Sequence, residues 1–214
     1  MPADLPFRRV LVLAPHTDDG EFGCGGTIAR LVEEKREVHY VAFSAAEKSV
    51  PKGYPRDHLR TEVKEATAAL GIPSSRLTIG TFAVRDFPEH RQRLLDEMIR
   101  LRDDVRPDVV FLPSKHDIHQ DHATVHAEGL RAFKGTTMLG YEVPWNNLVF
   151  ETTAFVRLED RHVEKKIEAL KCYRSQKDRP YADEVSLRAQ LRLRGTQAGC
   201  TWAETFQVIR WIAG

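Results

Sequence analysis

Two short stretches of the chain concentrate groups able to bind a metal and move protons. The first is APHTDDGEFGCGG (14–26), where His16, Asp18 and Asp19 follow the apolar run VLVL. The second is PSKHDIHQDH (113–122), which offers His116, His119, Asp121 and His122, with His126 one helical turn further on. A catalytic zinc ion typically takes three protein ligands and keeps one position for water. Imidazole plus carboxylate suits zinc better than magnesium. His16 and Asp19 lie three apart in one turn and can reach a common centre, and one residue of the second stretch would complete the set. Asp18 is then left beside the metal without binding it, which is where a general base belongs.

Other residues are open to blander readings. His122 and His126 have the spacing of an H-x-x-x-H zinc pair, but Ala123 stands where that motif carries its glutamate, so His126 reads as an ordinary helix histidine. Gly23, Gly25 and Gly26 do not make G-x-G-x-x-G, and are expected to let a helix pack tightly under the metal loop. Cys24 reads as a small packing residue. Lys115 and His116 are placed at the rim of the site. Arg56 and Arg60 could hydrogen-bond sugar hydroxyls or a phosphate. Trp145 and Asn146, with Asn147 beside them, could stack on and hydrogen-bond a sugar ring. The mixed-sign run at 157–166 reads as a solvent-exposed helix surface.

These groups need a scaffold, and the chain can supply one. With 214 residues, 42% hydrophobic and 29% charged, it reads as one globular domain, a core over 1–150 followed by a C-terminal extension over 151–214. A net charge of +1 creates no field favouring nucleic acid or a membrane surface. No apolar run is long enough to span a bilayer, and the opening residues MPADLPFRRVLVLAP do not resemble a secretory signal. Three cysteines, far apart and odd in number, form neither a zinc knuckle nor a disulfide framework, so a reducing cytoplasm is the expected compartment.

Strands are expected at 8–16, 38–44, 77–82, 107–114 and 136–144, alternating with helices at 25–37, 58–71, 88–105 and 121–133. That alternation makes an α/β fold with a mostly parallel sheet and helices on both faces. Beyond 150, a strand at 153–157, helices at 159–175 and 183–193, and a strand at 204–212 are expected. If strands one and four are neighbours, the two reactive turns face each other at the carboxyl edge of the sheet.

The stretch APHTDDGEFGCGGT resembles the first motif, PHPDDE-x-x-G-x-G-G, of the LmbE-like (PIG-L) superfamily of zinc-dependent sugar N-deacetylases, and HQDH (119–122) resembles its second, H-x-D-H. Weaker echoes at 60–71, 166–176 and 202–206 carry the likeness along the chain. The resemblance implies a Rossmann-like fold, Zn2+ held by His16, Asp19 and His122, and Asp18 as general base. His119 would stabilise the oxyanion or protonate the leaving amine, with Asp121 orienting and charging its ring. The implied reaction removes acetyl from an N-acetylglucosamine-type sugar or its conjugate, and the implied assembly is a trimer or hexamer. Thr17 and Gly20 depart from the motif, and Glu21, one place after the usual glutamate, is expected to point elsewhere. The alternatives are a metal-dependent hydrolase of a non-sugar amide or phosphoester, and a sugar-binding relative without turnover.

Overall fold

The computed structural model describes residues 5–177, 179 and 181–213. Seven strands, β1 (Arg9–Ala14), β2 (Glu37–Ala42), β3 (Leu77–Ile79), β4 (Val109–Pro113), β5 (Thr137–Tyr141), β6 (Ala154–Leu158) and β7 (Trp202–Arg210), form one sheet in the order β3-β2-β1-β4-β5-β7-β6. The first five pair in parallel, and β7 runs antiparallel between β5 and β6. Residues after 150 thus extend the same sheet.

Helices cover both faces. Four of them, α1 (Asp19–Glu33), α2 (His58–Ala69), α5 (Asp160–Lys171) and α6 (Glu184–Gln197), pack on one side, while α3 (Arg91–Val105) and α4 (Gln120–Ala132) pack on the other. Alternation along β1 explains why it is apolar throughout. Val10, Val12 and Ala14 enter the layer that holds Ile28, Val63 and Ile167, and Leu11 and Leu13 enter the layer that holds Leu94, Val125 and Phe133. Among the described residues no helix is long and apolar enough to cross a membrane.

The main departure from expectation is at α1, which starts at Asp19 rather than at 25. Its glycines serve close helix packing, as expected. A Cβ on Gly20 would fall 2.5 Å from Tyr40 Cε2, one on Gly23 2.3 Å from Tyr141 Cδ2, and one on Gly26 2.5 Å from Leu158 Cδ1. The helix breaks at Cys24 (φ −146°, ψ 23°). A break frees carbonyls on one side and amides on the other, and buried groups of this kind need partners. Lys166 Nζ donates to the Phe22 carbonyl at 2.6 Å. Glu204 accepts from the amides of Gly26 and Thr27 at 2.9 and 2.6 Å, and lies 2.7 Å from Lys166. The expectation of a solvent-exposed surface at 157–166 is corrected accordingly: Arg161, Glu164 and Lys165 face water, but His162, Val163 and Lys166 are buried against the core.

Candidate active site

Strands β1 and β4 are neighbours in register, Val10 opposite Val109, so the turns that follow them meet at the carboxyl edge of the sheet. The β1 turn carries His16 and delivers Asp18 and Asp19 to the start of α1, while the β4 turn carries Asp117 and delivers His119, Asp121 and His122 to the start of α4. Three donor atoms converge there. Asp19 Oδ2 lies 3.2 Å from His16 Nδ1 and 3.1 Å from His122 Nε2, and the two ring nitrogens are 3.3 Å apart. For metal bonds of 2.0–2.2 Å, tetrahedral geometry separates its donors by about 3.3–3.5 Å. The triangle is therefore of a size to hold an ion.

The outer nitrogens fix the direction of the lone pairs. His16 Nε2 meets Asp121 Oδ2 at 2.9 Å, and His122 Nδ1 meets Asp117 Oδ2 at 2.7 Å. A carboxylate can only accept, so each outer nitrogen carries a proton, and a ring that holds no second proton has an inner lone pair free for a metal ion. Without a metal, a second proton on an inner nitrogen can satisfy Asp19, and a metal ion would take that proton's place. A wider grouping of ring nitrogens from His16, His119 and His122, within 4.8 Å of one another, could also contribute to a metal site. The tighter triangle with Asp19, its edges within a few tenths of an ångström of those separations, is the closer match to a single ion.

Electrostatics agree. Burial works to lower His122, but the Asp19 and Asp117 carboxylates overcome it and hold the imidazole up at about 10. Burial would raise Asp19, but His122 and His16 draw it well below the ordinary range. Asp18 makes no side-chain contact of this kind. Burial and the neighbouring Asp19 carboxylate push it up to about 6. A partly exposed carboxyl at the edge of a donor triangle is suited to accept a proton.

The expected link from Asp121 to His119 is not formed and is corrected here. The Asp121 carboxylate accepts from His16, from the Arg85 amide at 2.6 Å and from the Phe87 amide at 3.3 Å. Only its backbone amide reaches His119, donating to Nδ1 at 3.2 Å in a helix N-cap. Position, not sequence spacing, decides this: Asp121 sits in the first turn of α4 and faces the sheet, where His16 waits. Burial and the imidazoles of His122 and His16 lower His119, so its ring is neutral, with the proton on Nε2.

A cleft of about 330 Å³ opens above these groups. Trp145 and Asn146 line it, as expected, and Trp145 packs at 5.4 Å against Tyr181. Arg56 and Arg60 do not line it. They border a neighbouring cavity, where Arg60 hydrogen-bonds Glu47 and the Gly80 carbonyl, both at 3.3 Å. His126 Nδ1 donates to the Pro113 carbonyl at 2.8 Å, and His116 pairs with Glu151 at 3.1 Å. Sequence reasoning missed Asp117, Arg85, Gln176 and Arg179. Arg85 lies in the left-handed region (φ 72°), held there through its amide by Asp121, and its neighbours in sequence give no periodic signal.

Glu21 does not point into the cleft. It is fully buried beneath the turn, hydrogen-bonded by the hydroxyls of Tyr40 and, at 3.0 Å, Tyr173. Burial pushes its carboxyl up to about 8 against the pull of those hydroxyls.

The family model described as PIG-L: GlcNAc-PI de-N-acetylase matches residues 11–133, which takes in both turns and more than half of the chain. The chain belongs to this family. It is 27% identical over 179 residues to the uncharacterized deacetylase YaiS of Escherichia coli K12, covering 78% of this chain and 91% of that one. It is 28% identical over 184 residues to the 1D-myo-inositol 2-acetamido-2-deoxy-alpha-D-glucopyranoside deacetylase of Thermomonospora curvata, covering 70% of this chain and 61% of the relative. Its structure matches that of the conserved protein TT1542 from Thermus thermophilus, with a TM-score of 0.78 at 28% identity, covering 97% of both chains. At 19% identity, where only the fold is shared, it also matches GalB, a 4-carboxy-2-hydroxymuconate hydratase from Pseudomonas putida KT2440, with a TM-score of 0.78 over 97% of this chain and 98% of the other.

Proposed function

We propose that the chain is a zinc-dependent amidohydrolase that removes the acetyl group from an N-acetylated amino sugar of the N-acetylglucosamine type or from its conjugate. The observation that carries this reading is the triangle of His16 Nδ1, Asp19 Oδ2 and His122 Nε2, with edges of 3.1 to 3.3 Å, beside an uncommitted Asp18. Family membership and the sugar deacetylase activity named for the Thermomonospora relative support the choice of substrate.

His16, Asp19 and His122 would hold the ion, with Asp121 and Asp117 fixing the two rings from behind. Zinc there supplies Lewis acidity toward the amide carbonyl and lowers the pKa of its water toward about 7. Asp18 takes the proton from the attacking water. His119, neutral and with its Nε2–H free of the backbone, donates a hydrogen bond to the developing oxyanion. The proton held by Asp18 then serves the leaving nitrogen, so the products are acetate and a free amine. Trp145 and Asn146 offer a stacking face and an amide to the sugar.

The test is a screen of the zinc-loaded protein on N-acetylglucosamine derivatives and on aryl phosphates, reading acetate, free amine and phosphate. Acetate and amine in equal amounts are expected. Phosphate without acetate would make the protein a different hydrolase, and full metal occupancy with no acetate from any acetylated sugar would make it a binding protein.

A further inference from the structure

The acid pair Asp18–Asp19 is gripped from below by groups that the proposed reaction does not use. The Tyr40 hydroxyl donates to the Thr17 carbonyl at 3.0 Å and accepts from the Gly20 amide at 3.1 Å. One oxygen atom thus bridges the residue before the pair and the residue after it. The Tyr173 hydroxyl reaches the same Thr17 carbonyl at 2.6 Å. Both hydroxyls also reach Glu21, one on each carboxyl oxygen, so each shares its single proton between the Thr17 carbonyl and Glu21. Tyr40 comes from β2 and Tyr173 from the end of α5, so nothing local brings them together. Tyr40 can stand there only because position 20 has no side chain, a Cβ on Gly20 falling 2.7 Å from its hydroxyl oxygen. Gly20, Glu21 and Tyr40 are therefore one fitted unit.

We propose that Glu21 is a positioning residue which, through the hydroxyls of Tyr40 and Tyr173, fixes the backbone of Asp18 and Asp19 and so sets both the metal carboxylate and the proton acceptor. The carboxyl of Glu21 orients both hydroxyls, and the hydroxyls hold Thr17 and Gly20. This rests on the metal reading of the site given above.

Two measurements test it, one of them independent of metal and activity. In the metal-free protein, amide hydrogen exchange is compared between peptides covering 16–22 and peptides from α3. Glu21→Ala is expected to speed exchange at 16–22 by about tenfold or more and leave α3 unchanged. Zinc affinity, read by chelator competition, is expected to weaken about 10- to 100-fold, the usual effect of removing a group that orients a ligand. Glu21→Gln keeps an acceptor and a donor for the hydroxyls and should stay within about threefold of the parent on both readings. Tyr40→Phe, which keeps the ring and loses the bridging oxygen, should reproduce Glu21→Ala, and carries the test should Glu21→Ala not fold. Unchanged exchange at 16–22, loosening shared equally by α3, or a Gln variant as damaged as the Ala variant would overturn the proposal. A parent protein that binds no zinc or releases no acetate would sink the deacetylase reading instead, and the exchange comparison would still decide the role of Glu21.

Discussion

Asp117 Oδ2 stands 2.7 Å from His122 Nδ1, on the opposite side of the imidazole from Asp19 Oδ2 at 3.1 Å from Nε2. One carboxylate fixes the ring, and the other faces the nitrogen that would bind the proposed ion. Asp117→Ala should therefore keep the fold and weaken zinc about 10- to 100-fold, whereas His122→Ala or Asp19→Ala should leave the purified protein without stoichiometric metal. Elemental analysis after dialysis against a weak chelator separates the two outcomes.

Asp18 touches none of the donor triangle, so its loss should be felt in turnover and not in binding. Asp18→Asn is expected to retain zinc and to lower kcat about 100- to 10,000-fold. Near-normal turnover in a zinc-loaded Asn variant would remove Asp18 from its role.

A general base works deprotonated, so activity must fall as pH falls through its pKa. Burial and Asp19 hold Asp18 at about 6 without a metal, and a cation nearby can only draw it down. The acid limb of kcat against pH should accordingly have its midpoint at or below about 6. A limb centred well above neutrality would point to another group.

Glu21 makes a separate prediction about stability in the metal-free protein. Its unfolded value is 4.5, and its folded value is raised to about 8. Between those values the folded state keeps a proton that the unfolded state has lost, so this carboxyl costs stability progressively as pH rises from about 5 to 8. Glu21→Gln cannot lose that proton. Urea unfolding of parent and variant should diverge in favour of Gln as pH rises, by a few kcal/mol at most, at about 1.4 kcal/mol per pKa unit. Parallel pH curves would contradict the buried environment described for Glu21.

The Lys166–Glu204 pair should behave unlike a simple buried ion pair. Removing one partner, as in Lys166→Ala, should cost about 3–5 kcal/mol by urea unfolding. Replacing both with apolar residues often restores stability elsewhere, but here the Phe22 carbonyl and the Gly26 and Thr27 amides would remain without partners. Lys166→Met with Glu204→Leu is expected to stay destabilised.

Most of the sheet was legible because parallel strands buried on both faces are written as unbroken apolar runs, VLVL in β1 and VVFL in β4. The alternation of strands and helices made the adjacency of β1 and β4, and with it the meeting of the two turns, a conditional expectation, since alternation does not fix strand order. The start of α1 was not legible. The six residues 19–24 include two glycines and look like a loop locally, and the side chains that fill the space those glycines leave, Tyr40 and Tyr141, are distant in sequence. The orientation of Asp121 failed for a related reason. Its neighbour in sequence is His122 and its near neighbour His119, but its carboxylate is turned to a ring 105 positions earlier. Asp117 carried no signal because it precedes α4, outside any helical spacing that could tie it to His122. The buried half of α5 was hidden by its charges, since Lys166 looks like a surface residue until the break in α1 is known.

That break also orders events in time. Glu204 seals amides 178 positions upstream of it, so the second half of α1 leaves the ribosome long before its seal has been made. The helix whose start carries Asp18 and Asp19 thus cannot complete its hydrogen bonds until β7 has been synthesised. A nascent chain halted short of that strand displays every proposed zinc ligand and still lacks the backing that keeps them in register.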